Sequence, residues 1–177
     1  MSNSHPSSLV AIGLGSNLGD RAANVYRAIA AIEKSSGLSG VRASGLYQTQ
    51  PVCVEPGRDP GGTYLNAVVV ASCTLAPLVL LDGLLAIERT LGRDRATQAH
   101  GEPRVIDLDL LLYGDRVVLT DHLTLPHPGL HERLFVLAPL AELVPQVYVP
   151  VVGRTVGELC GRARALAPDE AVRPFAS

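Results

Sequence analysis

Tryptophan is absent from this chain of 177 residues, aromatic residues make up only 4% of it, and charged residues 18%. A net charge of −2 argues against a broad basic surface of the kind that wraps duplex DNA, although a local basic cluster around a small anion stays open. Cys53, Cys73 and Cys160 are odd in number, widely spaced and free of any C-x-x-C pattern. Neither a disulfide framework nor a cysteine zinc site is expected, and a reducing cytoplasm fits best. No apolar run is long enough to span a bilayer, and the polar stretch from Met1 to Ser8 lacks the basic and apolar regions of a secretion signal. The expectation is a soluble, unprocessed protein. What is present is ample core material: hydrophobic residues are 47%, and the length suits one domain. That domain is expected at 9–166, with 1–8 and 167–177 as flexible termini.

The segment that carries most chemical information is Val105-Ile106-Asp107-Leu108-Asp109-Leu110-Leu111-Leu112-Tyr113, preceded by Arg104. As a strand it sends Asp107 and Asp109 to one face and Ile106, Leu108, Leu110 and Leu112 to the other. In a helix, residues two apart are separated by roughly 200° and do not converge. Two adjacent carboxylates repel, so one takes up a proton unless a cation lies between them. Magnesium is the obvious cation, being hard and usually held by one or two carboxylates plus substrate phosphates. A pair at a strand end, solvated or bridged by Arg104, is the plainer alternative.

Leu9 to Leu14 reads as a strand that runs into a glycine-rich turn, Gly13-Leu14-Gly15-Ser16-Asn17-Leu18-Gly19-Asp20. A helix follows at about 21–35, with Val25, Ala28, Ile29 and Ile32 on one face. Val41 to Tyr47 and Tyr64 to Ser72 read as strands, Leu78 to Leu91 as a helix after Pro77, and the Asp-x-Asp run as the next strand. Beyond it come a short strand at 117–119, a helix at 134–143 and a weak helix at 156–166. The order strand, helix, strand, strand, helix, strand is that of a ferredoxin-like α+β sandwich, a largely antiparallel sheet with helices packed on its faces.

The glycine-rich turn has the wrong spacing for a dinucleotide fingerprint. It is read either as a tight strand-to-helix turn or as a close backbone approach to a ligand. Arg93, Arg95, Arg104 and Arg133 are the basic residues nearest the carboxylates in sequence, and guanidinium forks match phosphate oxygens. His127 and His131 stand four apart, but Pro128 and Gly129 break any helix between them and no third zinc ligand is evident. His127 fits better as a donor to phosphate.

In series, Ile12 to Leu18, Tyr47-x-Thr49-x-Pro51, Tyr64-Leu65-Asn66-Ala67, Pro103-Arg104-x-x-Asp107-Leu108-Asp109 and Leu125-Pro126-His127 through Leu140 resemble the 6-hydroxymethyl-7,8-dihydropterin pyrophosphokinases of folate biosynthesis. The resemblance implies transfer of pyrophosphate from ATP, as co-substrate, to the pterin hydroxymethyl group, leaving AMP. It implies that Asp107 and Asp109 hold two magnesium ions, with Arg93, Arg95 and Arg104 as catalytic phosphate contacts. Glu88, Leu110, Thr124, His127 and Arg133 would bind ATP. Gly15, Thr49, Val52, Tyr64, Asn66 and Phe135 would line the pterin pocket. It further implies a cytoplasmic enzyme, expected to be monomeric, without nucleic-acid or membrane partners. Departures from the pattern are Ala99-His100 where some members carry Trp, Glu102 interrupting Gly-Pro-Arg, Pro128 in place of an aromatic, and Leu85 in place of a polar residue. Two alternatives stand beside this reading: a palm-like nucleotidyl transferase, against which the absence of a basic groove counts, and a non-catalytic small-ligand regulatory domain on the same fold.

Overall fold

The computed structural model describes residues 7–51, 61–93, 102–168 and 170–176. In chain order the elements are β1 (Ser8–Ser16), α1 (Arg21–Glu33), β2 (Leu38–Ala43), β3 (Tyr47–Thr49), β4 (Tyr64–Cys73), α2 (Pro77–Thr90), β5 (Asp107–Tyr113), β6 (Val118–Leu119), β7 (Thr124–Leu125), α3 (Leu134–Leu143), β8 (Tyr148–Val149), β9 (Arg154–Thr155), α4 (Val156–Leu166) and β10 (Arg173–Pro174). The main sheet runs β10-β3-β4-β1-β5, with β2 also pairing β4. All its pairings are antiparallel. This is the α+β ferredoxin-like architecture.

Alternation along the strands divides the core in two. Val10, Ile12 and Leu14 of β1, Leu65, Ala67 and Val69 of β4, and Leu108 and Leu110 of β5 pack with Val25, Ala28 and Ile32 of α1 and Leu80 and Leu84 of α2. On the opposite face Ala11, Val68, Val70 and Leu111 pack with Leu134 and Leu137 of α3 and Leu159 and Ala163 of α4. Burying each of the larger aliphatic side chains stabilises the fold by roughly 1.5–3 kcal/mol. α1 starts where Asp20 Oδ1 accepts the Ala23 N–H at 3.0 Å, and α4 starts with a capping box between Thr155 and Glu158, each satisfying amides the helix leaves unpaired.

Two expectations are corrected. The single strand at 41–47 is two strands, because Ser44 leaves the ladder. Its hydroxyl accepts the Val68 N–H at 3.0 Å while its own N–H donates to Val68 O at 2.9 Å. The pairing with β4 slips by one residue between Ala43↔Val69 and Tyr47↔Asn66, which is a β-bulge. A second slip lies between Ala11 and Ile12 in the β1–β5 pairing. There Leu112 turns to the α3–α4 face and Tyr113 to the other, so Leu112 does not share the face of Leu108 and Leu110. The end of the described chain joins the main sheet. Arg173–Pro174 pairs with β3, the Phe175 N–H donates to Leu46 O at 2.8 Å, and the Phe175 ring packs on the core.

Candidate active site

The α3–α4 face of the sheet is apolar over its lower half and polar over its upper half. Cross-strand register puts Asn66, Gly15 and Asp107 in one row and Val68, Gly13 and Asp109 in the next. Asp107 and Asp109 are both partly exposed while the intervening Leu108 is buried, as two-residue alternation requires. Gly15 leaves the middle of the row low: a Cβ there would stand 3.2 Å from Asn66 Oδ1 and 3.9 Å from Tyr64 Cδ1. Asn66 is buried and donates through Nδ2 to Thr49 Oγ1 at 2.8 Å. Asn66, Thr49, Tyr64 and Gly15 therefore form one floor, with the carboxylates at its other end.

Asp107 lies between two guanidinium groups. Arg104 Nη1 donates to its Oδ2 at 2.5 Å, and Arg93 Nη1 donates to its Oδ1. Arg93 Nη1 also reaches Glu88 Oε1 at 2.8 Å and Ile106 O at 3.3 Å. The Arg104 guanidinium sits 5.9 Å from the Tyr64 ring centroid and donates to the Tyr64 hydroxyl at 3.4 Å. Burial works against the Arg104 charge, but Asp107 and Tyr64 outweigh it and raise its pKa. Arg93 Nε and Arg104 Nε are buried with no hydrogen-bond partner among the described residues, an arrangement that suits an incoming anion.

His127 follows a cis Leu125–Pro126 peptide bond and is fixed to β5 by its N–H donating to Leu111 O at 2.9 Å. Burial, then the Arg133 charge, push its pKa below 6.5, with Asp107 opposing. Its Nδ1 accepts the Gly129 N–H at 3.2 Å, which assigns the proton of the neutral ring to Nε2 and makes that atom a donor. Arg133 is exposed, its guanidinium 5.8 Å from the Phe135 ring centroid. Thr124 lies in β7, and the Leu110 side chain belongs to the α1–α2 core, so a ligand meets Leu110 only through its backbone.

The structure thus brings together Arg93, Arg104, Asp107, Asp109, Gly15, Thr49, Tyr64 and Asn66. Glu88 lies beneath them and is 1% exposed. Arg95 and Val52 lie outside the described residues. Two contacts are not apparent in the sequence. Asn17 N donates to Arg104 O at 3.2 Å and Asn17 Oδ1 accepts the Arg104 N–H at 2.8 Å, which fastens the turn after β1 to the residues leading into β5. Glu88 Oε1 accepts the Leu108 N–H at 2.7 Å. An Asn two residues past the Gly13-x-Gly15 pair is the only sequence signal for the first; for the second, the resemblance names Glu88 as an ATP contact, and nothing marks its bond to Leu108.

An acidic pair, guanidinium groups with unused donors and a half-buried imidazole at one open sheet face are the equipment of an enzyme that handles phosphate groups. The family described as 7,8-dihydro-6-hydroxymethylpterin-pyrophosphokinase (HPPK) matches residues 11–145. A 2-amino-4-hydroxy-6-hydroxymethyldihydropteridine pyrophosphokinase of Bacillus subtilis is 40% identical over 136 residues, 77% of this chain and 78% of that protein. Another, of Synechocystis, is 38% identical over 148 residues, 84% of this chain and 72% of that one. Among solved structures, a Plasmodium falciparum HPPK-DHPS with pterin and p-hydroxybenzoate superposes with a TM-score of 0.72 over 96% of this chain and 46% of its own, at 16% identity, which shows the shared fold. The chain belongs to the HPPK family, ATP-dependent diphosphotransferases. Membership displaces the nucleotidyl-transferase and regulatory-domain alternatives.

Proposed function

We propose that this chain transfers the β,γ-pyrophosphoryl group of ATP to the hydroxymethyl group of 6-hydroxymethyl-7,8-dihydropterin in folate biosynthesis. The observation that carries the reading is the single row Asn66, Gly15, Asp107 across three strands, which joins an amide-and-glycine floor suited to a flat heterocycle directly to the carboxylate end. The hydroxymethyl oxygen attacks the β-phosphorus, the bond from that phosphorus to the α,β-bridging oxygen breaks, AMP leaves, and the hydroxyl proton passes to solvent.

Asn66 and Thr49 orient the ring through its hydrogen-bonding edge, while Tyr64 and Phe135 offer aromatic faces. Arg93 and Arg104 move from Asp107 onto phosphate oxygens, with their Nε atoms supplying further donors, and His127 Nε2–H and Arg133 hold the rest of the chain of phosphates. Asp107 and Asp109, being paired hard oxygen donors at the site, fit magnesium and would hold two such ions. Magnesium, when bound, neutralises phosphate charge and favours the deprotonated hydroxyl. Among the described residues no three His, Cys, Asp or Glu side chains cluster into a metal site, so the remaining ligands would come from phosphate and water. Arg95 and Val52 keep the phosphate and pterin roles that the family pattern gives them. The enzyme is read as a cytoplasmic monomer. No helix among the described residues is long and apolar enough to cross a membrane, and burial of Cys73 and Cys160 as free thiols agrees with a reducing compartment.

A chromatographic assay that separates AMP from ADP tests the reading. AMP should form from ATP only when both magnesium and hydroxymethyldihydropterin are present. Release of ADP, or AMP formation that ignores the pterin, would overturn it.

A further inference from the structure

We propose that Glu88 is a positioning residue for the carboxylate pair, not a contact of the nucleotide; the inference rests on the function proposed above. Glu88 sits in the last turn of α2 and is 1% exposed, so its carboxylate presents almost no surface to a ligand. One oxygen, Oε1, accepts both the Leu108 N–H at 2.7 Å and Arg93 Nη1 at 2.8 Å. Leu108 separates Asp107 from Asp109, so an anchor on its amide fixes the pleat that turns both carboxylates to the same face. β5 is the last strand in the sheet order. The buried Leu108 amide takes a helix side chain as acceptor where an inner strand would supply a carbonyl.

The same oxygen sets Arg93. Gly92, at φ 98°, reverses the chain after the helix, and the Arg93 N–H donates to Glu88 O at 3.0 Å. The arginine thereby doubles back so that its guanidinium meets the Glu88 carboxylate and Asp107 together. Glu88 thus fixes the metal-side carboxylates and the phosphate-side arginine relative to one another through one buried atom. Groups that orient metal-holding side chains act on both affinity and turnover.

Glu88→Gln tests this, because it keeps the shape and one acceptor but removes the charge that holds Arg93. Turnover should fall about 10- to 100-fold and the dissociation constant for Mn2+, read by electron paramagnetic resonance with a non-hydrolysable ATP analogue present, should rise by a similar factor, with the pterin KM within about twofold of wild type. Wild-type Mn2+ affinity in the folded variant overturns the proposal whatever its turnover. A second measurement needs no variant: Leu108 amide exchange in the wild-type chain should be equally slow with and without the ATP analogue. A change on nucleotide binding would mean that Glu88 leaves Leu108 for the nucleotide, and overturns the proposal too. If the wild-type chain makes no AMP from the pterin, the functional reading falls. The Mn2+ affinities and the Leu108 exchange still decide the role of Glu88.

Discussion

Alanine at position 15 would add one methyl group at the centre of the polar floor, between Asn66 and Asp107. The Cβ would lie 3.2 Å from Asn66 Oδ1 and 3.9 Å from Tyr64 Cδ1. The backbone is ordinary strand, so the substitution carries no conformational penalty, and restricting the unfolded chain stabilises by about 0.4–1 kcal/mol. The close approach to Asn66 offsets a similar amount, which leaves net stability within about 1 kcal/mol and the Tm within about 4 °C. Binding behaves differently. A flat ring laid on the floor meets the methyl directly, and forcing an extra methyl group into a fitted contact costs about 1–3 kcal/mol. At 1.4 kcal/mol per tenfold, the pterin KM should rise roughly 5- to 150-fold. The assay is AMP formation against pterin concentration, with thermal melting of the same preparation. A folded Gly15→Ala chain with an unchanged pterin KM would refute the placement of the ring over Gly15.

Asp107→Asn leaves Arg93 and Arg104 facing a neutral amide. Because the three side chains are 11%, 16% and 19% exposed, solvent screens part of the loss, and stability should fall by about 1–3 kcal/mol by denaturant melts. Turnover should fall at least about a hundredfold, and retained turnover would remove Asp107 from the chemistry. His127 has a folded pKa depressed below 6.5 by burial and Arg133. The unfolded chain therefore takes up its proton first as pH falls, and the stability His127 contributes is full above about 6.5 and lost on acidification through the folded value. Melts of the ligand-free chain between pH 7.5 and 5 should show that loss, and His127→Gln should flatten the part that begins near pH 6.5; an identical pH profile would show that His127 does not titrate as described.

Period and spacing made much of the site legible. Asp107 and Asp109 one residue apart in an apolar run required a strand with a shared acidic face, and β5 has that face. The limit of the same reasoning appears five residues on. Alternation assigns Leu112 to the wrong side because it has no means of anticipating a bulge, which depends on the partner strand at Ala11 and Ile12. The break at Ser44 is hidden for a similar reason, since a serine that bonds Val68 across the sheet looks in sequence like any polar residue in a strand. β6, β7, β8, β9 and β10 have two residues each, too few for any period. Glu88 enters the sequence reading only as an ATP contact that the resemblance implies, and no spacing rule marks a carboxylate that is buried and accepts the Leu108 amide of the edge strand. The roles given to Leu110 and Thr124 came from motif order alone, and the packing of β5 and β7 supplies no independent sign of them.

The sheet is covered on one face by α1 and α2 and on only half of the other by α3 and α4. One slab of backbone is therefore at once the inner wall of the core and the bed of the site. The aliphatic side chains beneath the bed, Ile12, Leu14, Leu65 and Leu108, are all nearly or fully buried, so the strands carrying Gly15, Asn66 and Asp107 are already ordered before any ligand arrives. Association then needs to order the ligand and the side chains that leave Asp107, and the free energy of contact is not diverted into ordering the surface that receives it. A change in the bed that suits a different ring would consequently also have to suit the core on the other side of the same strand.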